Sequence, residues 1–264
     1  MFNNVLIILL IVALHSMSIA QSTDYKVIKV SGTILLQKSK AALQMGTIFG
    51  ENDELSFETN NARAAVTNSE KGRFILMPSN TNIAFAKANL SPAMSNISSR
   101  GGSILNIIDL ENHFSGKYAI IDNVELKINP TLFPMDKNNF FYMRYVYKGD
   151  TINKQLSYSN DTLIIKKSEL LTVDGKPIPN PDVSTMEILY MQKGTEVKRT
   201  YINSFDPVFL NEVDLLAEIM IILSDLKDKD RETKINEIIS YITEMYGKPN
   251  KENLEEWLDK NIKL

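Results

Sequence analysis

Few residues of this 264-residue chain can do chemistry unaided, and the first test is which ones. There is no cysteine, and the two histidines are His15 and His113. His15 sits in an N-terminal apolar run that is expected to be removed, which leaves His113 as the one imidazole of the mature chain. Metal sites built on imidazole or thiolate want several such groups, so no metal centre and no cofactor are expected, and thiol catalysis is excluded. A Ser-His-Asp triad would have to use His113, yet the chain has no G-x-S-x-G elbow to present a serine. In "ENHFSG" the histidine reads as a turn or surface residue. Paired carboxylates remain, because glycoside hydrolysis needs only two Asp or Glu at a set separation. Asp53 and Glu54 in "GENDE" are the nearest to a pair, but neighbouring strand residues point to opposite faces. That stretch also lacks the Asp-x-Asp-x-Asp-Gly spacing of a calcium loop. Gly101-Gly102 lacks the further glycines and the Lys-Ser/Thr of a phosphate-binding loop and reads as a flexible turn.

The richest remaining set is aromatic. "FFYMRYVYKGD" holds Phe140, Phe141, Tyr142, Tyr145 and Tyr147, with Phe141, Met143, Tyr145 and Tyr147 alternating against Tyr142, Arg144 and Val146. A face of tyrosines can stack against a glycan or a peptide; equally, one face can be core and the other a half-buried rim. Tyr142, Tyr145 and Tyr147, with Trp257 near the C-terminus, form the candidate partner surface.

The elements that would position these residues follow from periodicity. "MFNNVLIILLIVALHSMSIAQS" carries an apolar run from Val5 to Leu14 and then small residues, with Ser18 and Ala20 in the small-x-small pattern of a signal-peptidase site. Cleavage is expected between Ala20 and Gln21, giving an exported protein. The run is about ten residues, against the roughly 20 of a membrane-spanning helix, and no other stretch is long enough, so no transmembrane helix is expected in the mature chain. Without cysteine, an exported chain has no disulfide staples and no lipoprotein anchor. The periplasm or the exterior is the expected location. A net charge of −3 offers no cluster of Lys and Arg for nucleic acid.

From residue 25 to residue 90 short apolar runs alternate with Gly, Asn and Asp, the pattern of short strands. "YKVIKVSGTILLQ" alternates and meets a bulge or kink at Gly32. "ARAAVTN" and "GRFILMP" are two further strands, joined by "SEKG" with Gly72 at a positive-φ turn. The riskiest piece is "KSKAALQM", which has reasonable helix propensity. The series "VSGTIL", "MGTIFGENDELSF", "NARAAVT" and "KGRFILMPSNT" resembles the FecR-type domain of bacterial envelope proteins, with Gly46, Asp53, Arg63, Gly72 and Asn80 at matching places. It departs at "NNAR", where a Gly-rich turn is usual, and at "EKG", where Asp-Gly is usual. The resemblance covers about 60 residues. It implies a small β module that binds or scaffolds and carries no chemistry of its own. The membrane helix and sigma-binding part of iron-signalling relatives have no counterpart here.

Residues 91–116 read as a linker with one short ordered element at "ILNIIDL". Residues 117–205 are again β, with hairpins at Gly149-Asp150, Asp174-Gly175 and Lys193-Gly194. From residue 206 the period becomes helical. Asp206-Pro207 reads as a cap and first turn, followed by Phe209, Val213, Leu216, Met220 and Leu223 as a buried stripe. A second helix over 232–245 carries Ile235, Ile238, Ile239 and Ile242, and a third from Asn250 carries Leu254, Trp257, Leu258 and Ile262. The expected protein is therefore mainly β, α+β overall. It has a signal peptide (1–20), a FecR-like β domain (21–90), a linker (91–116), a second antiparallel β segment (117–205) and a three-helix C-terminal region (206–264). The function expected is a non-enzymatic binding or structural component of the bacterial envelope, with another envelope protein or a glycan as partner. The alternative is a carboxylate-dependent glycan or peptidoglycan hydrolase.

Overall fold

The computed structural model describes residues 24–78, 89–92, 103–179 and 185–264. Ala20, Gln21, Asn80 and Gly101-Gly102 lie outside the described residues. The chain divides into two compact units, Met1–Pro92 and Ala93–Leu264.

The described part of the first unit is all β. Its strands are β1 (Asp24–Ser31), β2 (Ile34–Leu36), β3 (Ile48–Gly50), β4 (Leu55–Phe57), β5 (Arg63–Asn68), β6 (Gly72–Met77) and β7 (Asn89–Pro92). Five of them form an antiparallel sheet in the order β3-β1-β5-β6-β7, and β2 pairs with β4. The kink expected at Gly32 falls four residues earlier. The register of β1 on β5 shifts between Val27 and Lys29, so that Val27 and Ile28 are both fully buried. A bulge breaks the two-residue alternation in just this way. Gly32 instead takes φ +79° in the turn that follows. "KSKAALQM" forms no helix. Lys40, at φ 57°, donates its amide to the Leu36 carbonyl, and Leu36 donates to Ala41. The chain folds back on β2 and places Leu43 in the core with Tyr25, Val27, Ile34, Phe49, Leu55 and Leu76.

The second unit opens with α1 (Ile107–His113), a helix inside the stretch expected to be linker, and continues with β8 (Gly116–Ile120), β9 (Asn123–Lys127), β10 (Asn139–Tyr147) and β11 (Asp150–Gln155). There follow β12 (Ser157–Ser159), β13 (Thr162–Lys166), a one-turn α2 (Lys167–Leu170), β14 (Thr172–Val173), β15 (Lys176–Pro177), β16 (Met186–Lys193) and β17 (Val197–Phe209). Three helices close the chain, α3 (Glu212–Asp225), α4 (Arg231–Met245) and α5 (Lys251–Asn261), with a two-residue strand β18 (Lys248–Pro249) between the last two. The main sheet runs β11-β10-β16-β17-β8-β18, and a smaller one β12-β13-β9. One hydrophobic core joins the inner face of the first (Phe141, Met143, Tyr145, Ile188, Tyr190, Ile202) to the second (Val124, Leu126, Leu163, Ile165).

Three expectations need correction here. The second β segment is mixed, not purely antiparallel, because β8 pairs in parallel with both β17 and β18. No tight turn joins β8 to either partner, so nothing forces antiparallel pairing. The helical region starts later than Asp206-Pro207, since β17 runs through both residues to Phe209. Pairing with β16 ends at Phe205 opposite Met186, so beyond it β17 is held on the β8 side, where a proline without an N–H is tolerated. The cap is Asn211, whose side chain accepts from the amides of Val213 and Asp214. Finally, α3 is rotated by about a third of a turn from its expected face. Its buried residues are Leu215, Glu218, Ile219 and Ile222, whereas Val213 is 76% and Met220 54% exposed.

The later helices match expectation in most of their buried stripes, Ile235, Ile238, Ile239 and Ile242 on α4 and Leu254, Trp257 and Leu258 on α5, but Ile262, expected to complete the last stripe, lies just past the end of α5 and is only partly buried. Beyond those three terminal helices, the described residues hold two short ones, α1 and α2. Two contacts tie the helical region into the β part of its own unit. Gly247 follows α4 at φ +124° and delivers the chain to β18 beside β8. Asn253 on α5 uses its side-chain amide as a strand would, accepting from the Glu125 amide at 2.7 Å and donating to the Glu125 carbonyl at 2.9 Å.

Candidate functional site

Hairpin register builds the site. In β10, alternate residues share a face, so Phe140, Tyr142 and Arg144 look away from the core that Phe141, Met143 and Tyr145 fill. Across β10 the partners are Met191 for Phe140 and Leu189 for Tyr142 on β16, and Gln155 for Tyr142 and Asn153 for Arg144 on β11. Beyond β16, Met191 stands opposite Arg199 of β17. The tight turn between β10 and β11 carries the expected residue types, shifted by one, with Lys148 and Gly149 both at positive φ; Asp174 and Gly175 do the same in the separate hairpin of β14 and β15.

The result is a groove of about 560 Å³ on the outer face of the main sheet, lined by Phe140, Tyr142, Met191, Thr151, Asn153 and Gln155, with Arg144 and Arg199 as its cations. Phe140, Tyr142 and Leu189 form their own buried cluster, with Met191 packed against it. Two cations lie over the aromatic rings: Lys193 Nζ is 4.9 Å from the Phe140 centroid, and the Arg144 guanidinium carbon is 6.0 Å from that of Tyr142. Such contacts hold a cation near a ring without neutralising it. Arg144 is ion-paired with Glu187 at 3.3 Å and also donates to Asn153 (3.3 Å) and the Tyr142 hydroxyl (3.4 Å). Arg199 is exposed, and its side chain makes no ion pair or hydrogen bond among the described residues. By ordinary strand spacing the two arginine Cα atoms stand roughly 16 Å apart, with the aromatic floor between them.

The candidate partner residues separate. Tyr142 lies in this groove. Tyr145 is 2% exposed and points into the core, where its hydroxyl donates to the Leu170 carbonyl at 2.5 Å and burial raises its pKa. Tyr147 packs against that same core. Trp257 is buried among the helices and donates its indole N–H to Glu212 at 2.7 Å. The structure thus brings none of the other three to Tyr142. Arg144, Arg199, Asn153 and Gln155 were not singled out from sequence; the signal for them was the register of two hairpins, which converts "FFYMR" and "EVKR" into one surface.

His113 is a correction. It is buried at the last turn of α1, its Nε2 2.7 Å from the Tyr118 hydroxyl, packed against Phe114 and Tyr118. Burial, aided by the positive charge of Lys248, lowers its pKa to about 4. The folded protein therefore refuses a proton that the unfolded chain accepts near 6.5. Stability contributed by the neutral ring is complete above pH 6.5, is lost as pH falls towards 4, and changes no further below that. The total loss is about 3 kcal/mol. Urea unfolding between pH 7 and pH 4 should show this slope in the wild type and not in His113→Gln; parallel curves would refute the assignment.

The carboxylates of "GENDE" do not pair. Asp53 accepts the Gly50 amide at 2.8 Å within its own turn, and Glu54 is exposed. Gly46 and Gly72 take positive φ, so these residues act on the backbone. Among the described residues no group of three or more His, Asp or Glu is placed to hold a metal ion, and no helix is long and apolar enough to cross a membrane. No family model matches this chain, and no curated protein matches it either.

Proposed function

We propose that this chain is an exported binding component of the bacterial envelope and that the groove on the main sheet is its ligand-contact surface. The observation that carries the reading is the free Arg199 beside an aromatic and methionine floor, with Arg144 at the far end. Two separated cations along an apolar groove, Arg199 and the Glu187-paired Arg144, suit an extended ligand with carboxylate or phosphate groups. The amides of Asn153 and Gln155 and the hydroxyl of Thr151 add partners for hydroxyl groups. An acidic glycan strand has all these features. Export is supported by the apolar run from Val5 to Leu14 and the small-x-small pattern of Ser18 and Ala20 that follows it, and an envelope setting by the resemblance of residues 30–80 to FecR-type domains.

The test is co-sedimentation of the purified chain with isolated bacterial envelope fractions, wild type beside Arg199→Glu. Binding by the wild type and about tenfold weaker binding by the variant are expected, the loss of one charge-assisted contact. Equal sedimentation of the two proteins, or none, would overturn the reading.

A further inference from the structure

One edge of the main sheet is an independent feature. β11 pairs with β10 and with no other strand. The two-residue turn Lys148-Gly149, both at positive φ, makes Tyr147 and Asp150 a hydrogen-bonded pair. From there the backbone groups alternate in direction, and Leu156, which donates its amide to the Phe141 carbonyl at 2.9 Å, keeps the same parity. The N–H and C=O groups of Asp150, Ile152 and Lys154 therefore meet β10, whereas those of Thr151, Asn153 and Gln155 point away from the sheet. These outward groups meet no partner among the described residues, and all three residues are exposed. The opposite edge, β18, is two residues long and ends in Pro249, so it offers no such row.

On the core side of β11 stand Asp150, Ile152 and Lys154, opposite Tyr147, Tyr145 and Met143. Ile152 is half-buried against the core. The side chains of Asp150 and Lys154 make no ion pair or hydrogen bond among the described residues. Charges on the inner side of an edge strand turn away any strand that cannot match them. A strand admitted here must present a cation to Asp150, an anion to Lys154 and an apolar residue to Ile152. β11 itself, run antiparallel, does so. Two other charges lie close by in the chain and leave this match intact. Lys148 stays in the turn, its Nζ 5.3 Å from the Tyr147 centroid, and Glu169, which accepts from Ser157, is paired with Lys166.

We infer that β11 pairs antiparallel with β11 of a second copy of this chain, on a two-fold axis at Ile152. Thr151 then faces Asn153 of the partner subunit in a hydrogen-bonded pair, and the same pair forms again across the axis, giving about four backbone hydrogen bonds. Asp150 faces Lys154 of the partner subunit, also twice, and Ile152 meets Ile152 of the partner subunit on the core side. Moving the axis to Thr151 or to Asn153 keeps the hydrogen-bonding pattern but takes Asp150 away from Lys154 of the partner subunit, so the charges fix the register. Paired residues share a face, and the two grooves then lie on the same side of the joined sheet. One six-residue edge buries less than the roughly 800 Å² a side of a standard interface, so the dimer is weak and dependent on concentration.

The absence of cysteine makes the register testable with single thiols. Ile152→Cys puts two thiols opposite each other at the axis, within reach of a disulfide, and mild oxidation should link the chains. Lys154→Cys puts them about 14 Å apart and should leave the chains unlinked. By sedimentation, Asp150→Lys and Lys154→Glu should each weaken self-association about tenfold, because like charges then face each other twice. A mixture of the two should associate as heterodimers, since both cross-axis pairs are again of opposite sign. A wild type that stays monomeric to near-millimolar concentration would overturn the proposal, as would an Ile152→Cys chain that associates without linking. Equal cross-linking at both positions, or no association in the mixture, would overturn the antiparallel pairing about Ile152.

Discussion

Replacing Glu218 with alanine is expected to destabilise the protein by roughly 3 kcal/mol, the cost of removing a buried carboxylate that two tyrosine hydroxyls share as acceptor. Glu218 is fully buried on α3. It accepts from the Tyr241 hydroxyl at 2.7 Å and from the Tyr246 hydroxyl at 2.7 and 2.5 Å. Burial and the neighbouring carboxylate push the pKa of both tyrosines up, so both remain donors at any ordinary pH. Removing the acceptor takes the carboxylate from both hydroxyls, that of the fully buried Tyr241 and that of the partly buried Tyr246. Glu218→Gln keeps the size and one acceptor oxygen and should lose about half as much. The informative control removes the three groups together: Glu218→Leu with Tyr241→Phe and Tyr246→Phe should recover much of the loss, because the hydroxyls and their shared acceptor then disappear at once. Urea midpoints give the ranking. An alanine variant as stable as the wild type would mean that the three side chains are not coupled.

Gly247→Ala is the second large effect, also about 3 kcal/mol or more, and its cause is steric. The residue has φ +124° and sits against β8; an added Cβ would lie 2.6 Å from both the Cβ and the carbonyl oxygen of Lys117. The carbonyl cannot retreat without disturbing the parallel pairing of β8 with β17 and β18. Gly175→Ala separates the two components of the cost. Gly175 also has positive φ, +74°, but nothing lies within 4 Å of its would-be Cβ, so alanine there should lose only the ~1 kcal/mol of an unfavourable backbone region. Thermal melts of the two variants decide the matter: equal losses would remove the clash with β8 from the explanation.

Local signals carried much of this fold. Asp174-Gly175 announced its turn because both positions need positive φ, and Asn250 announced the start of α5 because its side chain can take the amide of Asn253. Helix α4 was legible from isoleucines on one stripe. What failed was the choice between two readings that are locally equivalent. Along α3 the residues Val213, Leu216, Met220 and Leu223 are as periodic as Leu215, Ile219 and Ile222, so periodicity alone could not choose the inner face. Nor does the sequence show that the one carboxylate in this run, Glu218, is buried, because its partners Tyr241 and Tyr246 lie more than twenty residues away. Asp206-Pro207 failed for the same reason: a cap followed by proline is a helix start unless a distant strand, here β8, takes the backbone first. The groove was half legible. Alternation placed Tyr142 and Arg144 on one face, but Arg199 joins them only through the register of β16 on β17.

Asn253 has a consequence beyond tethering α5. The outer edge of β9 is a row of backbone groups on which a stray strand from another molecule could grow. At Glu125 both groups are occupied by the Asn253 amide, and one position further the Lys127 carbonyl takes the Ile104 amide at 2.8 Å. A helix side chain at one point and a one-residue bridge at the next thus close that edge without adding a strand. The small sheet offers no template there for runaway polymerisation, a useful property for a protein that has no disulfides to keep a partly opened chain from meeting its neighbours.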